Sequence, residues 1–405
     1  MLMKIVFLNR YFYPDHSATS QLLSDLAFFL AAEGKEVHVI TSRQRYDEPA
    51  ARLPARERVR DVTIHRVWTS RFGRGSLPGR AFDYLTFYFS TLFALLSTVS
   101  RGDTVVAKTD PPLLSLVAAP VAWLKGARLV NWLQDVFPEI AGAVGLGWAR
   151  GWGGRLLARL RDGTLRSASV NVVPGSSVRQ YLTSRGIAEE KVRVIANWAD
   201  GDLVHPVRPE DSRLRREWGF DGKFVVGYSG NMGRVHEFET ILGAAESLKG
   251  DDNIVFLFIG DGAQKNWLEN EVIQRSLVNV RFLPYQPIDQ LAASLSVPDV
   301  HLVSLCPEVE GLVVPSKFYG IAAAGRPTLF VGDQDGEIAH LIREVQCGIA
   351  IGVGDVSGLV ATIGLLKSDS SLYRKYCENA RRVFEERFEK RIALAAWNKV
   401  LSAEC

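Results

Sequence analysis

Short, unbroken apolar runs recur along this chain, and most lead into a stretch with helical spacing. Lys4 to Asn9 (KIVFLN), Glu36 to Thr41 (EVHVIT), Thr104 to Ala107 (TVVA) and Arg128 to Leu133 (RLVNWL) are such runs. Phe224 to Tyr228 (FVVGY), Ile254 to Ile259 (IVFLFI) and Val300 to Leu305 (VHLVSL) repeat the pattern. A strand that is apolar on both faces must be covered on both faces, as parallel strands are when helices pack above and below the sheet. Val62 to Val67, Val170 to Pro174, Val192 to Ile195, Val280 to Leu283 and Thr328 to Val331 extend the series. The alternation stops at Asn197 to Gly201, passes a polar segment with two prolines, His205 to Glu210, and starts again. A chain of 405 residues that begins its pattern twice predicts two α/β domains, each a doubly wound parallel sheet. Their expected extents are 1–197 and 198–385. A terminal amphipathic helix, Glu378 to Leu401 with a break near Phe388, is expected to return to the first domain from about residue 386.

Composition narrows the function classes. A hydrophobic content of 47% supports two real cores, and a net charge of +3 gives no global nucleic-acid signature. The four cysteines, Cys306, Cys347, Cys377 and Cys405, form no CxxC or zinc spacing and fit reduced thiols of a cytoplasmic protein. Met1 to Asn9 reads as the first strand of the fold, not as a secretion signal.

In open α/β sheets, ligands bind beyond the carboxyl ends of the strands, where free N–H groups and helix starts point. Chemistry-bearing residues gather at those places here. In the first half, Ser17 follows the first strand without a GxGxxG pattern, and Asp135 and Glu139 follow RLVNWL. In the second half a basic, glycine-bearing turn carries Gly230, Asn231, Gly233, Arg234 and His236. Gly260 and Gly262 flank Asp261 after the next strand, and Tyr285 follows the one after that. Glu310, Gly311, Leu312, Ser316 and Lys317 lie between Val300–Leu305 and a helix that Gly325 and Pro327 end. His16 and Glu308 read as surface residues.

Two arginine–aromatic clusters stand in the first half. Arg66, Arg71, Arg74 and Arg80 interleave with Trp68 and Phe72 ahead of the uncharged run Tyr84 to Ser100. Trp148, Arg150, Trp152, Arg155, Arg159, Arg161 and Arg166 form the second. The uncharged run has about the minimum length of a membrane span and is diluted by serines and threonines, so a helix of the domain is expected. Arginines and aromatics together predict docking on an anionic membrane surface.

Specific stretches carry a resemblance. They are WLQDVFPE at Trp132 to Glu139, NWAD at Asn197 to Asp200, YSGNMGR at Tyr228 to Arg234, GDG at Gly260 to Gly262, FLPY at Phe282 to Tyr285, and EGLVVPSKFYGIAAAGRP at Glu310 to Pro327. In order and content they resemble the GT-B glycosyltransferases of the retaining family-four type, in the branch that builds exopolysaccharides, colanic acid and O-antigens. The resemblance implies two Rossmann-like domains facing across a cleft, the first for the acceptor and the second for a nucleotide-sugar donor. It implies a metal-independent, cofactor-free hexosyltransferase using a UDP- or GDP-linked donor and a lipid-linked saccharide acceptor. Such an enzyme is expected in the cytoplasm, peripheral on the inner face of the membrane. Carried over residue by residue, Asp135, Lys317, Glu310 and Arg234 are the expected catalytic groups. Gly230, Asn231, Gly233, His236, Gly260, Gly262, Tyr285, Gly311, Leu312 and Ser316 are expected on the donor, and Ser17 and Glu139 on the acceptor side. A site without metal meets the charge growing on a leaving diphosphate with cations and N–H dipoles, which suits Lys317 and Arg234.

The chain also departs from that pattern. The family's second glutamate falls at Gly320, its frequent first-domain His at Gln134, and its first-loop Gly-Gly at Ser17 and Ala18. Two other functions fit the same outline: a nucleotide-sugar epimerase of this layout, and a nucleotide-sugar-binding partner without catalysis.

Overall fold

The computed structural model describes residues 3–46, 48, 51–73, 77–208 and 211–402. Arg74, Glu210 and Cys405 of the expectations above lie outside them. The chain divides into two units, Met1–Ala196 with Leu394–Cys405, and Asn197–Ala393.

The first unit holds an eight-stranded sheet. Its strands are β1 (Lys4–Leu8), β2 (Glu36–Ser42), β3 (Arg56–Val59), β4 (Val62–Val67), β5 (Thr104–Lys108), β6 (Arg128–Trp132), β7 (Val170–Val173) and β8 (Val192–Val194). Their order is β3-β4-β2-β1-β5-β6-β7-β8, and only the β3–β4 pair is antiparallel. That pair is a hairpin turned by Arg60 and Asp61, both at positive φ, as a tight hairpin turn requires. The charged sequence of β3, RERV, suits a sheet edge. Strand order reverses between β1 and β5, so the segments following β1, β5 and β6 meet at the ligand end of the sheet.

The second unit holds six parallel strands: β9 (Phe224–Ser229), β10 (Ile254–Ile259), β11 (Val280–Leu283), β12 (Val300–Ser304), β13 (Thr328–Gly332) and β14 (Gly348–Gly352). The order β11-β10-β9-β12-β13-β14 is the 3-2-1-4-5-6 order of dinucleotide-type domains. At the reversal, β9 and β12 pair only through Val300↔Val226 and His301↔Gly227. Beyond those two rungs the strands part, and the segments that follow them meet again where the Cys306 N–H donates to the Val235 carbonyl at 2.8 Å. Below them, Tyr228, Phe238, Phe256, Phe258 and Leu302 fill a continuous buried core.

The chain ends in helix Ser370–Val383, a π-turn at Phe384–Phe388, and helix Lys390–Ser402. The break falls where the sequence suggested. From Leu394 on, the last helix belongs to the first unit. Trp397 is wholly buried there, 4.5 Å from Trp132 between ring centres, and Arg128 donates to the Val400 carbonyl at 2.9 Å. The uncharged run, from Tyr84 to Thr98, makes up the greater part of helix Leu77–Thr98. Among the described residues, no helix is long and apolar enough to cross a membrane.

Candidate active site

In the second unit, Lys317 opens the helix Lys317–Ala323 that follows β12. Its Nζ lies 2.9 Å from His236 Nε2 and 5.0 Å from the centre of the Tyr228 ring. His236 Nδ1 lies 2.6 Å from the Ser304 carbonyl oxygen. A carbonyl only accepts, so Nδ1 carries the proton and Nε2 accepts from Lys317. The imidazole is thereby fixed as a neutral tautomer. Burial, and then the neighbouring Lys317, push its pKa down to about 3. Burial alone pushes Lys317 down to about 7. His236, expected on the donor, instead has both ring nitrogens engaged and serves as the mount of Lys317.

Glycine makes room for this lysine. A Cβ on Gly230, whose φ is +120°, would stand 3.1 Å from Lys317 Cε. The next turn locks against the same backbone. A Cβ on Gly260 would stand 2.2 Å from the Gly230 carbonyl oxygen, and one on Gly262 about 2.5 Å from that of Met232. Backbone bonds from Met232 N to Asp261 O (2.8 Å) and from Gln264 N to Met232 O (3.0 Å) tie the two turns together. The Gln264 side chain donates to the Gly233 and His236 carbonyls. GDG is therefore a packing device that fixes the shape of the 230–236 turn. Asn231 and Arg234 stand exposed on that turn, and Tyr285 is exposed with its ring beside Gly260.

Glu310 is half-buried at the start of helix Glu337–Val345 and accepts the Glu337 N–H at 3.0 Å. Burial raises its pKa, against the stabilising N–H groups of Glu337 and Gly311. The amides of Gly311 and Leu312, expected to face a donor, both have internal partners: the Glu310 carboxylate and the Val309 carbonyl, respectively. The cause is local: Gly311 at φ +75° curls the loop back on itself. Ser316 is exposed and makes no side-chain cap bond, and Gly320 supplies no carboxylate at the place of the family's second glutamate.

In the first unit, Asp135 lies just past β6, half-buried, with Thr109 as a hydrogen-bond partner and Oδ1 unpartnered. Burial pushes its pKa up to about 6. Glu139 is differently placed. It forms a double ion pair with the buried Arg161 and accepts from the Tyr181 hydroxyl at 3.0 Å, so its charge is already balanced. Ser17 precedes helix Ala18–Ala32, and its N–H donates to Asp15 at 2.8 Å.

Comparison with known proteins follows the two units. Residues 19–198 match the model of the glycosyl transferase 4-like domain, and residues 210–383 match that of the glycosyl transferases group 1. The glycosyltransferase WbjE of Pseudomonas aeruginosa is 32% identical, with 67% of each chain covered. The chain belongs to the glycosyltransferases. A colanic acid biosynthesis glycosyl transferase of Escherichia coli (strain K12), WcaI, is 29% identical over 93% of this chain and 96% of its own. Among solved structures, the lipopolysaccharide glycosyltransferase WaaG matches with a TM-score of 0.74 at 16% identity, covering 99% of this chain and all of its own. HepE of Anabaena, solved with UDP-glucose, matches with 0.73 at 17% identity over 99% of each chain. These likenesses place the glycosyltransferase in the GT-B fold. Sequence reasoning singled out Lys317 and placed His236 on the donor, without the contact between them. His236 as the mount shows only when β9 and β12 are neighbours. Lys108, buried at the end of β5 and bordering one cavity with Asp135, is hidden in the sequence by an apolar run.

Proposed function

We propose that this glycosyltransferase moves a hexose, with anomeric retention and without a metal, from a UDP- or GDP-linked donor to a lipid-linked saccharide in bacterial surface polysaccharide synthesis. The observation that carries the reading is Lys317, mounted on a neutral histidine beside Gly230 at the strand-order reversal of the second unit. A buried ammonium at that point offsets charge on a departing diphosphate, and exposed Arg234 adds a forked donor. Asp135 then meets the acceptor hydroxyl. Relatives support the finer terms. WcaI is named for colanic acid and WaaG for lipopolysaccharide. A Mycobacterium tuberculosis relative, 26% identical over 69% of this chain, is named a GDP-mannose-dependent alpha-mannosyltransferase. An α-linked donor giving an α-linked product is retention.

The test is donor consumption with membrane-lipid extract as acceptor source, in EDTA. Product in which the sugar keeps its donor anomeric configuration is expected. Activity lost to chelation and restored by Mg²⁺ would overturn metal independence. Conversion of donor without any acceptor would point to the epimerase instead.

Donor binding should also take up protons. At pH 8 a lysine with a pKa near 7 is mostly neutral, and a bound diphosphate favours its charged form. Affinity should fall as pH rises from about 7 towards the ordinary lysine value of 10.5. Calorimetry at pH 8 in buffers of differing ionisation enthalpy measures the uptake. A value of zero would show that the diphosphate sits elsewhere.

The membrane surface is read from three helices of the first unit. Helix Ser115–Lys125 packs against both Leu77–Thr98 and Trp152–Ser167. Outward they expose Phe82, Leu85, Phe89 and Phe93, then Trp123 (84% exposed) and Leu124, then Trp152 (77%), Leu156 and Leu160. Trp68, Leu85, Phe89 and Phe93 border an open apolar groove of about 600 Å³. An apolar patch of this extent marks an interaction surface. Its charge differs from the sequence expectation. Arg66 and Arg161 are buried in ion pairs with Glu57 and Glu139, because each finds a carboxylate brought to it by the fold. Among the described residues of the two clusters, Arg71, Arg150, Arg155, Arg159 and Arg166 are exposed and available to lipid headgroups. Flotation with anionic vesicles should capture the protein, and high salt should release it. Replacing Arg155 and Arg159 by glutamine should weaken capture about thirtyfold, at about 1 kcal/mol per charge. Equal failure with anionic and neutral vesicles would remove the docking surface.

A further inference from the structure

We propose that Lys108 is a positioning residue for transfer, a second station for the proton of Asp135 within one small cavity of the first unit. The inference rests on the reading of Asp135 as the group that meets the acceptor hydroxyl. β5 and β6 run parallel with Ala107 beside Asn131 and Lys108 beside Trp132. Lys108 ends β5 and is only 2% exposed, with its Nζ 3.5 Å from the centre of the Trp132 ring and no hydrogen-bond partner. Asn131 gives its amide N–H to Asn171 at 2.8 Å and keeps an unpartnered buried Oδ1. Asp135 Oδ1 is the third such atom.

Lys108, Asn131 and Asp135 all border one cavity of about 20 Å³. That is room for about one water, and three polar partners are what such a water needs. Buried polar atoms are almost always satisfied, so three orphans around one water-sized space belong to one network.

The other charged groups around the cavity are either engaged elsewhere or act on Lys108 and Asp135 alike. Arg161 borders the cavity but is spent on Glu139, Asp162 and the Phe137 carbonyl. Asp110, which accepts from Thr19, is the charged group whose field reaches both Lys108 and Asp135. The Tyr88 hydroxyl is engaged with the Pro112 carbonyl. From the terminal helix, Trp397 packs against Trp132. Burial lowers the ammonium of Lys108 and raises the carboxyl of Asp135, which brings their proton affinities together.

The step balances as follows. The neutral Lys108 amine takes the proton of the Asp135 carboxylic acid through the bridging water, giving ammonium and carboxylate. The carboxylate then holds the acceptor hydroxyl by a hydrogen bond, and that hydroxyl's proton passes to the departing diphosphate oxygen on the same face as the acceptor oxygen bonds to the anomeric carbon. The donor's carbon–oxygen bond breaks, and its electron pair leaves with the diphosphate. After release the Lys108 ammonium returns its proton through the water to the Asp135 carboxylate, which restores the starting pair.

The test compares the pH profiles of kcat/KM for the full-length protein, Lys108→Met and Asp135→Asn. Lys108→Met removes the second station, so Asp135 stays protonated to higher pH. The acidic limb should move up by about one pH unit and kcat at pH 7 should fall about tenfold, with donor KM unchanged. A folded Lys108→Met with an unmoved profile overturns the inference while leaving the function standing. Wild-type turnover by Asp135→Asn overturns the acceptor-side reading itself. Should Lys108→Met fail to fold, lysine-selective ¹³C NMR decides. The Lys108 Cε resonance must titrate with Asp135 in the wild type and lose that step in Asp135→Asn, and an unchanged titration overturns the proposal.

Discussion

Replacing Lys317 with alanine is expected to slow sugar transfer by about two to three powers of ten while the protein stays folded. Removing one charge partner of a transition state typically costs about 2.7–4 kcal/mol of barrier, and each 1.36 kcal/mol is about tenfold. The fold should tolerate the loss, because a buried ammonium is itself a cost to the folded state. Its removal leaves His236 Nε2 without a donor, a penalty of about 1–3 kcal/mol that the relieved desolvation offsets. Turnover and melting temperature, measured on one preparation, check both halves. Turnover like the wild type would mean that the diphosphate leaves from somewhere other than this lysine.

The largest stability effect is expected at Gly260. Alanine there would set its Cβ 2.2 Å from the Gly230 carbonyl oxygen, at a φ of +136°. Backbone strain of about 1–3 kcal/mol adds to overpacking of about 1–3 kcal/mol. For domains of this size, that corresponds to a melting temperature lower by roughly 5–20 °C. Donor binding should fail as well, because the displaced backbone is the one that leaves Lys317 its path. Gly354→Ala is the control, since Gly354 shares the positive φ but has open space around it. It should cost about 1 kcal/mol and leave donor binding intact. Equal effects at the two glycines would show that the two turns are not packed as described.

What the sequence showed and hid follows from how each feature is encoded. Buried parallel strands are apolar throughout, so β1, β9, β10 and β12 stand out without any knowledge of their neighbours. β3 escaped notice because an edge strand is charged, and β14 because its glycines, GIAIG, look like a loop. Lys317 was legible from a specific motif. Its mount was not, since His236 lies 81 residues earlier and reaches it only through the pairing of β9 with β12. The arginines failed for the same reason. Nothing within the second cluster separates Arg161, locked to Glu139, from Arg159, which is exposed. Tryptophans are equally mute. Trp397 and Trp152 both sit in amphipathic helices, yet one is fully buried and the other open to solvent.

The last helix sets an order on the making of this protein. Trp132 emerges from the ribosome long before Trp397, the ring that covers it. Domains generally fold as the chain is synthesised, the earlier ones first. Here the earlier unit lacks its last segment until the second unit has been translated, since that segment begins only at Leu394. Until then the Trp132 ring lacks the Trp397 ring that packs against it.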